Sequence, residues 1–176
     1  MEMEEELLVK RAKKGDKDAF VALIEKYKVP MYRLALAIVR SKVESEDVLS
    51  ETILKAYEKL KTLREPSFFK TWIMRIIINE SNQNLRSRKK IVPLTDWNKE
   101  AKIQPLTTNI ELEELIQKLP KELRIVIVLF YFEQWTIKEI SELLRLPEGT
   151  VKNRLHRARK KLIPLLKSEE VRVKSK

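Results

Sequence analysis

In a chain of 176 residues, 37 Lys or Arg stand against 26 Asp or Glu, and a folded protein with this net charge of +11 most often meets nucleic acid or an anionic surface. Zero cysteines exclude disulfides, thiolate catalysis and Cys-ligated zinc or iron–sulfur centres, and a single His argues against an imidazole metal cluster, so no metal or cofactor is expected; with no paired catalytic carboxylates, nucleophile with base or phosphate loop, no catalytic residue is expected either. With 43% hydrophobic residues recurring at helical spacing, the charge does not describe a disordered polymer, and the length suits one ordinary domain or two small ones.

Glycine occurs only at Gly15 and Gly149, too rarely for hairpin-rich or Rossmann-like folds, so the expected fold class is all-α. The acidic start MEMEEELL lacks the basic segment of a signal peptide, and no apolar run approaches the ~20 residues that span a bilayer. A cytoplasmic location without membrane insertion is expected. The acidic start and the basic tail from Glu169 to Lys176 read as frayed ends.

Phe20, Leu23, Ile24 and Tyr27 share one helical face, as do Met31, Leu34, Ala35 and Ile38 after Pro30, and both faces read as core. The next helix runs through EDVLSETILKAYEKL. Its spacing sends Leu49, Ile53, Ala56, Tyr57 and Leu60 inward and leaves Asp47, Glu51, Leu54 and Glu58 outward, with carboxylates bracketing a leucine. LKTLREPS ends that helix at Pro66, and another begins near Ser67 with FFKTWIMRIIINESNQNLRSRKK, in which Trp72 and Ile73 read as core. The basic end from Leu85 to Lys90 suits both phosphate binding and the helix macrodipole.

Residues 91–108 hold Pro93, Pro105 and mixed charge without periodicity, and read as an extended linker between two small helical domains, 1–90 and 109–176. Beyond it come IELEELIQKL and a helix opened by Pro120 and filled by Leu123, Ile125, Val126, Val128, Leu129, Phe130 and Phe132. TIKE, Thr136 to Glu139, matches a capping box, and LLRLPEG supplies a turn before GTVKNRLHRARKK.

In that last helix Val151, Leu155, Ala158 and Leu162 fall within a sector of about 60°, with Lys152, Asn153, His156, Arg157 and Lys160 roughly opposite. The apolar side is expected to pack on Ile137, Ile140 and Leu144 of the preceding helix, in the manner of a helix-turn-helix. Lys and Arg donate to guanine and Asn pairs with adenine, so Lys152, Asn153, His156 and Arg157 are candidate base readers. Arg154 and Arg159 flank the apolar stripe and suit phosphates or a neighbouring carboxylate, and Thr150 and Lys160 complete the candidate duplex contact.

PEGTVKNRLHRARKKL resembles the recognition helix of region 4 in extracytoplasmic-function sigma factors of the sigma-70 family. DVLSETILKAYEKL resembles the sigma segment that docks on RNA polymerase. FKTWIMRIIIN, through Phe69, Thr71, Trp72, Ile73, Arg75, Ile76 and Asn79, resembles the segment that meets the melted minus-ten element. The resemblance runs from about Leu8 to Leu166 and implies a non-enzymatic alternative sigma factor whose second domain reads the minus-thirty-five element. It implies docking through Asp47, Ser50, Glu51, Leu54 and Glu58. It further implies a pocket for an unstacked base in the loop Lys61 to Ser67, with Arg64, Phe68, Thr71, Arg75, Asn79, Asn82, Gln83 and Arg86 along the captured strand.

The implied partners are core RNA polymerase, promoter DNA and an anti-sigma factor, with the free chain a monomer, and the linker, with Asp96 and Glu100, would thread the polymerase. Departures from the family pattern fall at Ser50, at Arg145 where glycine is common, and at Asn153 where serine is commoner. The alternative reading is a helix-turn-helix regulator that binds duplex DNA without acting as a sigma subunit. A helical adaptor for RNA or acidic proteins is the rival of another class.

Overall fold

The computed structural model describes the backbone of residues 2–91 and 110–174 and, for most of that span, the side chains; of the expected linker 91–108, Ile91 is the last residue of a helix and 92–108 lie outside the described residues. The described elements are all helical, and the chain divides into two compact units, Met1–Ala101 and Lys102–Lys176.

In the first unit α1 (Glu2–Lys13), α2 (Lys17–Val39), α3 (Lys42–Lys59) and α4 (Phe69–Ile91) pack around α2, whose faces meet the other three. Asp16 caps α2 by accepting from the Ala19 N–H at 3.0 Å, and Ser41 caps α3 by accepting from Glu44 N–H at 3.3 Å. Pro30 lies inside α2 without ending it. The turn after it is buried on nearly every side, through Met31, Tyr32, Leu34, Ala35, Leu36, Ala37, Ile38 and Val39, and this packing outweighs the hydrogen bond that proline removes. Leu23, Leu34, Phe69, Ile73, Met74 and Ile77 form the fully buried centre.

Three expectations are corrected in this unit. The acidic start is not a frayed end but the helix α1, docked through buried Val9 and Ala12 and through Glu5, which accepts from the Tyr27 hydroxyl at 2.8 and 2.9 Å and pairs with Lys26. Tyr57 does not face inward; it is 51% exposed and rests edge-on against Phe20, centroids 5.2 Å apart. The inner face of α3 is taken by Ser45, Val48, Thr52 and Ala56, all buried. The Ser45 and Thr52 hydroxyls donate to the carbonyls of Ser41 and Val48 at 2.6 and 2.7 Å, so their burial leaves no polar atom stranded. Trp72 is half-buried rather than core, its ring 5.7 Å from that of Phe69.

In the second unit α5 (Ile110–Gln117), α6 (Lys121–Ile127), α7 (Ile137–Leu144) and α8 (Glu148–Lys174) surround Ile116, Leu123, Val126, Leu129, Ile140 and Val151. The α6 helix ends in a wide turn, Val128–Phe132, where Glu133 N–H reaches back to Val128 O at 3.1 Å, and Phe130 and Phe132 are half-buried rather than core. Arg124 is only 3% exposed, and its guanidinium donates to Leu119 O and, at 3.4 Å, to Gln117 O, closing the carbonyl end of α5. The basic tail expected to fray from Glu169 is helical through Lys174, as α8 continues past Pro164.

Candidate nucleic-acid interface and docking face

With its inner face spent on small residues, α3 presents Asp47, Ser50, Glu51, Leu54 and Glu58 to solvent, and Leu54 is 53% exposed among the carboxylates. Asp47, Glu51, Leu54 and Glu58, the stripe expected from spacing, thus share one exposed face with Ser50. An element the sequence did not suggest adjoins it: the Lys55 ammonium lies 3.3 Å from Glu51 and 2.6 Å from Glu80 of α4. The hydrogen bond to Glu80, more than that to Glu51, raises the Lys55 pKa above its ordinary value.

Two short turns, Leu60–Thr62 and Pro66–Phe68, join α3 to α4. Leu60 and Leu63 anchor this loop by burial, while Arg64 is exposed and Phe68 is 61% exposed at the mouth of α4. The adjacent Phe69 is fully buried, because α4 begins there and turns that ring toward Tyr27 at 5.7 Å. Along α4, Arg75, Asn79, Gln83 and Arg86 are exposed at spacings of four, four and three residues, so they line one face, with Thr71 and Asn82 half-buried beside them. Arg88 pairs with Glu44 of α3 at 3.2 Å, a structural role for one member of the basic run. The side chains of Lys89 and Lys90 lie outside the described residues.

In the second unit the capping box forms as spelled: Glu139 N–H donates to Thr136 Oγ1 at 3.2 Å, and Thr136 N–H donates to Glu139 Oε2 at 2.7 Å. The α7 helix buries Ile140 and Leu143 against α8; Ile137 and Leu144, expected at the contact, are half-buried. The corner is made by Arg145, whose φ of 55° and ψ of 47° are those a glycine adopts without strain. Ser141 stabilises it, its hydroxyl donating to Leu146 O at 2.5 Å while its carbonyl accepts from Leu146 N–H at 3.0 Å.

The α8 helix then buries Val151, Leu155, Ala158 and Leu162 and exposes Lys152, Asn153, His156, Arg157, Arg159 and Lys160. Thr150 and Arg154 are half-buried at its edges. Such a helix presents several cationic and amide donors on one side, with Glu148 the acid of its first turn, which suits the major groove of a duplex. Sequence reasoning missed Lys13, whose ammonium donates to Leu63 O at 2.5 Å, and the Lys55–Glu80 pair. Both join residues far apart in the chain, and no local pattern announces them.

Two family models match the chain, that for Sigma-70 region 2 over residues 23–91 and that for Sigma-70, region 4 over residues 109–162. The chain is 31% identical over 185 residues to the ECF RNA polymerase sigma factor SigW of Bacillus subtilis, covering 92% of this chain and 96% of that one. It is 33% identical over 186 residues to the RNA polymerase sigma-H factor of Pseudomonas aeruginosa, covering 93% and 96%. Its fold is similar to that of CnrH in complex with the cytosolic domain of CnrY, with a TM-score of 0.71 at 24% identity over 93% of this chain and 97% of that one. The sigma factor RpoE of Bartonella quintana, in complex with the anti-sigma factor NepR, gives a TM-score of 0.67 at 20% identity over 84% and 96%.

Proposed function

The chain belongs to the sigma-70 family, in its extracytoplasmic-function group, and from that membership we propose how its surfaces divide the work of an alternative sigma factor. It is a transcription initiation factor that binds core RNA polymerase and directs it to a class of promoters. Residues 1–90 dock and capture the melted strand, 91–108 tether, and 109–176 read the upstream duplex. The α3 stripe Asp47, Ser50, Glu51, Leu54 and Glu58 offers an acidic surface with an apolar anchor to a basic polymerase element. The loop with Arg64 and Phe68, and the α4 face with Thr71, Arg75, Asn79, Asn82, Gln83 and Arg86, hold the melted minus-ten strand by stacking and amide hydrogen bonds.

On α8, Lys152, Asn153, His156 and Arg157 read bases of the minus-thirty-five element, while Thr150, Arg154, Arg159 and Lys160 hold phosphates. Neither contact needs high affinity alone, since one polymerase carries both and raises the effective concentration of the second. The protein has no catalytic role in this reading, works in the cytoplasm, is a monomer when free and is held in check by an anti-sigma factor. Among the described residues no helix is long and apolar enough to cross a membrane and no cluster suits a metal ion.

The observation that supports this reading most directly is that none of these candidates is spent on the core: each is exposed or half-buried. A regulator that does not replace sigma would leave the α3 and α4 faces unexplained. Transcription by core polymerase from a promoter library, with and without the chain, tests the reading, and absence of any new start site would refute it.

A further inference from the structure

We propose that Lys13 is a positioning residue for melted-strand capture, fixing the loop that presents Arg64 and Phe68 and so making α1 part of the strand site. The proposal rests on the strand-capture reading above. The region 2 match begins at residue 23, whereas α1 occupies Glu2–Lys13, so the helix lies outside the segment through which that role was assigned.

The loop closes two turns on itself, through Leu63 N–H to Leu60 O and Phe68 N–H to Glu65 O, each at 3.1 Å. Between them the chain is held by the buried Leu63 side chain and by the Lys13 ammonium, which donates to Leu63 O at 2.5 Å across a separation of 50 residues. That carbonyl shares one planar peptide unit with the Arg64 N–H. Orienting it therefore orients the backbone from which the exposed Arg64 departs.

The ammonium is delivered from a rigid base. Lys13 is the last residue of α1, which is docked through buried Val9 and Ala12. The following turn is fastened by Arg11, 2.7 Å from the Asp16 carboxylate that caps α2. A charge-assisted bond from a fixed helix to a carbonyl restrains a loop more tightly than a neutral one.

The test uses the full chain in holoenzyme with core polymerase. The best-bound single-stranded DNA is selected from a randomised pool, and four labelled oligonucleotides differing at one base of it are then titrated. For Lys13→Met, which keeps the aliphatic stem, the ratio of dissociation constants between best and worst base should fall about tenfold while core affinity stays unchanged. Lys13→Arg retains a charged donor and should preserve most of the ratio.

An undiminished ratio in Lys13→Met overturns the proposal. So does an equal loss in Lys13→Arg, because the charged donor would then not be the cause, and so does a parallel loss for all four oligonucleotides together with core affinity, which marks a merely structural residue. A wild-type holoenzyme indifferent to all four oligonucleotides refutes strand capture itself, and the proposal with it.

Discussion

The Ser141 hydroxyl donates to the carbonyl of Leu146 at 2.5 Å, spanning a corner at which Arg145 is held in the left-handed region with φ 55°. The turn between the two helices of the reading unit is therefore made by a side-chain clasp where glycine would make it unaided. Arg145→Gly should stabilise this unit by about 0.5–1 kcal/mol, the strain relieved exceeding the extra entropy glycine loses on folding. Ser141→Ala should destabilise it by about 1 kcal/mol. Amide exchange along α7 and α8 reads both, and faster exchange in Arg145→Gly would contradict the strain.

Base readers and phosphate holders on α8 should separate by experiment. Asn153→Ala should relax discrimination at one base pair by about 1–3 kcal/mol. Arg159→Ala should weaken all promoters alike and reduce the log–log salt slope of binding by about 0.9. Competition binding by holoenzyme over promoter variants and salt distinguishes them. If Asn153→Ala lowered affinity uniformly, its assignment to a base would be wrong.

Docking by α3 makes a prediction about core polymerase alone. Leu54→Ala should cost about 1–2 kcal/mol of core affinity with little dependence on salt, since an exposed anchor becomes buried on binding. Glu58→Lys should cost more at low ionic strength than at high, because a rim charge is screened. Fluorescence titration of labelled chain with core reads both. Wild-type affinity in both variants would remove α3 from the contact.

The Asp16 carboxyl is held below its ordinary value of 3.8, first by the Ala19 N–H it accepts from and then by Arg11. A lowered carboxyl contributes stability that is fully present above its unfolded pKa and lost as pH falls through the folded one. Asp16→Asn keeps a capping acceptor but no charge, so its stability should decline less between pH about 5 and about 2. Thermal unfolding across that window measures it, and parallel curves for the two chains would show that the charge contributes nothing.

The α8 helix was legible because its two faces differ in kind. Val151, Leu155, Ala158 and Leu162 repeat at helical spacing among cations, and burial follows that repeat. The outer stripe of α3 was legible for the same reason. Its inner stripe was not, since Ser45 and Thr52 read as polar until their hydroxyls are seen bonded one turn back, and the apolar spacing points to Tyr57 in their place. The first helix escaped because Val9 and Ala12 are few among charges and the Glu5–Tyr27 tie is tertiary. The loop before α4 was placed but not built: Phe68 and Phe69 are adjacent and chemically identical, and only the start of α4 decides that one is exposed and the other buried.

Left-handed backbone occurs at Arg40, Gln134 and Arg145 as well as at Gly15, in a chain with only two glycines. With so little glycine the unfolded ensemble wanders through fewer conformations, so less disorder is surrendered when the helices form. The three strained corners return part of that advantage locally. Part of the stability of such a chain therefore resides in the stiffness of its denatured form, and the corners are where natural variation can trade that against the contacts of the folded one.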